Sequence, residues 1–158
     1  RGQVELDRRP VELRTILERA LEVCRPDLEA RRLQLSLDLD QTRTVHGDAR
    51  RLEQVFWNLL NNAVKYSYKG SRIELAVSAD KTHGMISVKD SGRGIAREHI
   101  GRIFDKFYRV PNVEPNESFS CGLGLSIASS IARVHSGRLT VETEPGKGST
   151  FTVSIPLA

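Results

Sequence analysis

Apolar residues recur at helical spacing near the start of the chain. Leu13, Ile16, Leu17, Ala20, Leu21 and Cys24 form one stripe and predict an amphipathic helix over 11–24. Pro26 is expected to interrupt it, because proline has no N–H to donate and crowds the preceding turn; Asp27 can restart one. Strict alternation follows at 33–39, with Leu33, Leu35, Leu37 and Leu39 on one face of a half-buried strand. A short strand is expected at 43–46. Asp48 suits the N-cap of a long helix running to about Ser67. Residues 72–79 and 84–90 read as two strands around a turn at 80–83, and 97–104 as a short helix. Residues 108–121 hold two prolines and two asparagines without any period, which predicts a mobile loop. Helical spacing returns at 122–135. Residues 138–143 and 150–155 read as a hairpin around Pro145-Gly146-Lys147-Gly148. A mixed, mostly antiparallel sheet with helices on one face makes a two-layer α+β sandwich.

The long helix carries an unusual polar edge. At about 100° per residue, Asn62, Lys65 and Tyr66 fall within roughly 80° of Asn58, while Leu52, Val55, Phe56, Leu59, Leu60 and Ala63 occupy the adjoining flank. Asn58 and Asn62, four residues apart, lie one above the other. Asparagine is a mediocre helix former, so two beside a core stripe call for a reason. Carboxamide oxygens are hard ligands that suit Mg2+, an ion that keeps waters and shares substrate phosphates; Lys65, about a turn on, would meet those phosphates. The same row also reads as a plain polar helix edge.

Two glycine-bearing segments extend the pattern. DSGRGI at 90–95 follows a strand directly. Gly92 and Gly94 permit close backbone approach, and Asp90 at the strand end can accept from an exocyclic amine such as that of adenine. A solvated strand-ending turn is the plainer reading. A dinucleotide fingerprint is excluded, since Arg97 stands at its third glycine. GLGLSI at 122–127 places glycines before a helix start, where free N–H groups receive anions. PGKGST at 145–150 leads into a strand and lacks the first P-loop glycine, so it reads as a hairpin turn.

Composition narrows the class. The chain has 158 residues, 39% of them apolar and 28% charged, the balance of one soluble globular domain. A net charge of +4 suits an anionic small molecule as well as nucleic acid. Aromatics at 6% argue against a stacking surface for single strands, so no nucleic-acid partner is expected. No apolar run reaches membrane-spanning length. Cys24 and Cys121 form neither a disulfide framework nor a metal site, which suits a reducing, cytoplasmic setting.

Four segments stand in one order: NLLNNAVKYS at 58–67, DSGRGI at 90–95, IFDKFYRV at 103–110 and GLGLSI at 122–127. Together they resemble the catalytic, ATP-binding domain of sensor histidine kinases, within the wider family that includes gyrase, Hsp90 and MutL ATPases. The resemblance covers nearly the whole chain, including GRLTVETEPGKGSTFTVSIPL at its end. It implies ATP held between the long helix and a flexible lid. It assigns Asn62 to Mg2+ with Asn58 beside it, and Lys65 and Tyr66 to phosphate. Asp90 would bind the adenine amine, with Gly92, Gly94 and Ile95 shaping its pocket. Phe104 and Phe107 would anchor the lid, and Arg109 would approach the γ-phosphate. Gly122, Leu123, Gly124 and Leu125 would bring backbone N–H groups to the phosphate chain, and Ser149 would reach the adenine side.

One position separates branches of the family. The resembling ATPases carry a water-activating Glu where Asn58 stands. An amide takes no proton at neutral pH, so the resemblance implies a kinase that passes the γ-phosphoryl group to a histidine. That acceptor is expected on a separate dimerisation helical hairpin, of the same or a partner chain, with a response regulator downstream. Val11-Glu12-Leu13-Arg14-Thr15 echoes the family's acceptor segment by chance, with Val11 where His is required. His46, His83, His99 and His135 read as exposed or half-buried structural residues. Residues 1–158 are expected to form one catalytic domain, monomeric by itself, with 1–10 a linker remnant. Phe119-Ser120-Cys121 stand where the family usually has a further glycine, which keeps open a catalytically weak nucleotide-binding or docking module.

Overall fold

The computed structural model describes residues 5–39, 43–106, 108 and 124–158. Its elements run β1 (Arg9–Glu12), α1 (Leu13–Ala30), β2 (Gln34–Asp38), β3 (Thr44–Gly47), α2 (Ala49–Tyr66), β4 (Arg72–Ala79), β5 (His83–Asp90), α3 (Arg97–Ile100), α4 (Gly124–Val134), β6 (Arg138–Glu144) and β7 (Gly148–Pro156). Five strands form one sheet in the order β2-β4-β5-β7-β6, and only the β2–β4 pair is parallel.

Alternation along the central strands builds the core. Ile73, Leu75 and Val77 of β4 pair with Asp90, Val88 and Ile86 of β5, and Val88 and Ile86 pair in turn with Phe151 and Val153 of β7. These apolar residues are all buried, so one face of the sheet is core. Helices α1, α2 and α4 cover it, with α2 packed between the other two. Phe56, Leu52, Leu59 and Leu60 of α2 are fully buried there.

Several elements differ from the sequence reading. Helix α1 continues through Pro26 to Ala30, because Leu28 extends the Cys24 stripe by one turn and is 3% exposed. Residues 11 and 12 are strand, not helix. With Arg9 and Pro10 of the expected linker they make β1, which pairs antiparallel with β3 and sets Val11 against Val45. Leu37 is 49% exposed although it shares its face with Leu35, because β2 is an edge strand. Only one helical turn forms in 97–104. Beyond it Ile103 is buried, and Phe104 meets Phe151 edge-on with centroids 6.4 Å apart.

The start of α2 is fixed from three directions. Asp48 caps it, its Oδ1 accepting from the Arg51 N–H at 3.4 Å. Its other oxygen accepts from the Asp7 N–H at 3.1 Å, and its own N–H donates to Nε2 of His135 at 3.0 Å. Since Nε2 accepts, Nδ1 carries the ring proton and donates to the Ile131 carbonyl at 2.8 Å. Arg8 adds a bond to the Val134 carbonyl at 2.8 Å. The N-terminal arm, α2 and the end of α4 thus share one node. His135 is 1% exposed, deeper than the exposed or half-buried place expected of it. Burial, with the nearby Arg8 and Arg51, holds its imidazole below the ordinary 6.5, against the Ile131 bond and the Asp48 charge.

In the unfolded chain this histidine takes a proton near 6.5, and in the folded chain only at lower pH. The stability it supports is complete above 6.5 and is lost as pH falls through the folded value. Urea midpoints measured from neutral to mildly acidic pH should fall for the wild type, and His135→Asn should flatten that slope.

Candidate functional site

Asp90 occupies a core-facing position at the end of β5, in phase with Gly84, Ile86 and Val88. It is 3% exposed. Burial raises its carboxyl above the usual carboxylate range, while the backbone N–H groups of Gly92 and Ser149 pull the other way. The Gly92 bond is 2.9 Å long. Ser149 is the cross-strand partner of Asp90, so the two side chains emerge on one face. A desolvated carboxylate beside a hydroxyl is a built receptor for an N–H donor.

The turn after Asp90 is pressed between two neighbours. A Cβ on Gly92 would lie 2.2 Å from the carbonyl oxygen of Tyr66, the last residue of α2. Gly94 has φ +69°, and a Cβ there would lie 2.0 Å from the Glu144 carbonyl oxygen. The Gly146 N–H donates to the Arg93 carbonyl at 2.7 Å, and the Ile95 N–H to Oγ1 of Thr143 at 2.8 Å. The β6–β7 hairpin therefore backs the turn, and the end of α2 fronts it. Ile95 packs against the core.

Across the site, Asn58 is 8% exposed. Its Nδ2 is buried with no hydrogen-bond partner among the described residues. Such an orphan costs about 1–3 kcal/mol. Gly124, the first residue of α4, sets its Cα side against this amide, with a Cβ position 3.7 Å from Oδ1. The N-terminal end of a helix thus adjoins a buried donor with no partner among the described residues, an arrangement suited to anionic oxygens. Asn62 and Lys65 are half-buried on the same helix edge, and Lys65 lies over the Tyr66 ring at 4.9 Å from its centroid. Leu125 packs against the core from the first turn of α4.

These features fit a magnesium–triphosphate. Among the described residues no cluster of three or more His, Cys, Asp or Glu is placed to hold a metal. An ion here would need phosphate oxygens and water beside one carboxamide, the coordination Mg2+ prefers.

Of the residues singled out in the sequence, the fold sets Asn58 beside Gly124, Tyr66 beneath Gly92, and Asp90 beside Ser149. Phe107, Arg109, Gly122, Leu123 and Cys121 lie outside the described residues. Sequence reasoning missed Thr143. Its signal was a polar residue in phase with Leu139 and Val141, facing the core side of β6. An open depression of about 250 Å3 between α1 and α2, lined by Val23 and Trp57 among others, shares none of these groups. Cys24 is buried, and burial, with Asp27, pushes its thiol up to about 11, which leaves it unreactive.

The chain belongs to the histidine kinase-, DNA gyrase B- and HSP90-like ATPase family, whose model matches residues 47–158. It is 34% identical over 124 residues, 78% of its length, to the sensor protein SrrB of Staphylococcus aureus (strain NCTC 8325 / PS 47). The chain spans 21% of the length of that relative. Among solved structures it superposes on the mycobacterial sensor histidine kinase MprB with a TM-score of 0.81 and 25% identity, over 95% of this chain and 97% of that one. Full-length ShkA in complex with AMPPNP gives a TM-score of 0.83 and 29% identity, over 98% of this chain and 32% of that one. Among the described residues no helix is long and apolar enough to cross a membrane.

Two substitutions separate close approach from free space. Gly94→Ala should cost at least about 2 kcal/mol in chemical denaturation, because both its φ and its contact with Glu144 exclude a side chain. Gly124→Ala meets only ordinary contact distances and should stay within about 0.5 kcal/mol of the wild type.

Proposed function

We propose that this domain binds Mg-ATP and passes its γ-phosphoryl group to a histidine on a separate dimerisation helical hairpin, as the catalytic part of a two-component sensor kinase. The Asn58 amide beside the start of α4 carries the reading, since its nitrogen is a buried donor with no partner among the described residues where phosphate oxygens would sit. Family membership and the relatives' names support the kinase class.

In this reading Asp90 accepts from the adenine amine, and Gly92, Gly94 and Ile95 shape the pocket behind the base. Asn62 holds the metal, which when bound offsets the charge of the phosphates. Lys65 and Tyr66 meet phosphate from the last turn of α2, and Arg109 approaches the γ-phosphate. An incoming neutral imidazole supplies the electron pair for the new N–P bond. The bridging O–P bond to the γ-phosphorus breaks, and its electrons leave with ADP. Asn58 accepts no proton from water, so hydrolysis lacks a base and the phosphoryl group is kept for the imidazole. Positioning and charge then do most of the catalysis. A response regulator would take the phosphoryl group next, and the domain would work on the cytoplasmic side.

The test is to mix the 158-residue chain with a separately made acceptor hairpin and γ-labelled ATP. Acid-labile label should appear on the hairpin without steady ATP turnover. Asp90→Asn should weaken ATP binding by about 10- to 100-fold, the worth of one charge-assisted bond, and Asn62→Asp should abolish transfer. Magnesium-dependent binding with no transfer to any hairpin would leave only a nucleotide-binding module.

A further inference from the structure

The hydroxyl of Thr143 lies at the centre of the hairpin that backs Asp90. Three groups reach it: the Ile95 N–H at 2.8 Å, the Gly148 carbonyl at 3.1 Å and the Ser149 hydroxyl at 2.7 Å. A hydroxyl has one proton and two lone pairs. All three contacts are hydrogen bonds in one arrangement only. Thr143 donates to Gly148 and accepts from both Ile95 and Ser149. The proton of Ser149 is then committed to Thr143, and its oxygen faces its surroundings with lone pairs alone.

Those surroundings include Asp90, the cross-strand partner of Ser149. Both residues are buried and emerge on one face of the sheet. An acceptor-only carboxylate and an acceptor-only hydroxyl oxygen together favour a base edge that donates and disfavour one that presents an oxygen.

We infer that Thr143 is a specificity-determining positioning residue, which orients the Ser149 hydroxyl so that the site takes 6-amino purines and rejects 6-oxo purines. The inference rests on the ATP-site reading above and deepens it. Thr143 itself touches no ligand and acts through Ser149 and the Ile95 amide. If Thr143 loses its oxygen, the Ser149 hydroxyl is released to turn its proton outward and donate to a 6-oxo group.

The readout is the ratio of ITP to ATP dissociation constants, measured by calorimetry on the 158-residue chain with Mg2+ present. Thr143→Val should lower that ratio at least fivefold, while Thr143→Ser should keep the wild-type ratio. Ser149→Ala should also lower the ratio with the Thr143 clamp in place, so the test survives if Thr143→Val fails to fold. In the double variant the two effects should not add, since both remove one device. A merely structural Thr143 would weaken both nucleotides by the same factor. An unchanged ratio in Thr143→Val or in Ser149→Ala, or strict additivity, overturns the inference while leaving the ATP site standing. A wild type that binds neither nucleotide overturns the ATP site itself, and this inference with it.

Discussion

The demand that organises this molecule is a carboxylate at a core position. Asp90 continues the row of Gly84, Ile86 and Val88, so strand geometry turns it inward among apolar neighbours. An ionised group there loses most of its hydration and is costly unless other groups replace the water. The chain supplies two backbone N–H groups, from Gly92 and Ser149. The turn that delivers Gly92 must lie tight against both the end of α2 and the β6–β7 hairpin. Its glycines are there because a Cβ would strike the Tyr66 and Glu144 carbonyls. One buried acid thereby ties three distant parts of the chain together.

Helix α2 meets the complementary constraint. It is covered by the sheet beneath and by α1 and α4 on its sides, so most of its circumference is core. Outside the core, one edge holds Asn62, Lys65 and Tyr66 with the buried Asn58 beside them, and another exposes Arg50, Gln54 and Trp57. Asn58 lies against the start of α4, and its buried Nδ2 has no hydrogen-bond partner among the described residues. Its position costs stability and makes sense as preorganisation for a ligand, which would supply the missing acceptor. The other end of α2 is held by Asp48, His135 and Asp7.

Much of this was legible in the residues. The stripe from Leu52 to Ala63 and the alternation through Ile73–Val77 and Ile86–Val88 state the helix, the strands and their inward faces, because each period admits one arrangement of apolar side chains. The cap at Asp48 was visible from residue type and place. Less was visible where local signals were weak or opposed. Pro26 argues against helix, yet burial of Leu28 outweighs it. Val11 and its neighbours are too few to show a strand period, and only β3 makes them one. Leu37 alternates correctly but has no neighbour beyond the sheet edge to cover it.

The site divides along the same line. Its residue types and order follow from the chain alone: the amide pair four residues apart, the acid at a strand end, the glycines around them. Chemistry of that kind is local, since it depends on side chains a turn or a strand step apart. Which of them are desolvated, and which group orders which, was settled only by packing. The hydroxyl network of Thr143 and Ser149 joins Ile95 to a hairpin nearly fifty residues further along. The Asn58 amide, whose nitrogen has no partner among the described residues, lies beside Gly124 of another helix. Burial and hydrogen-bond pairing are properties of what surrounds a residue, and no periodicity in the residue's own segment encodes them.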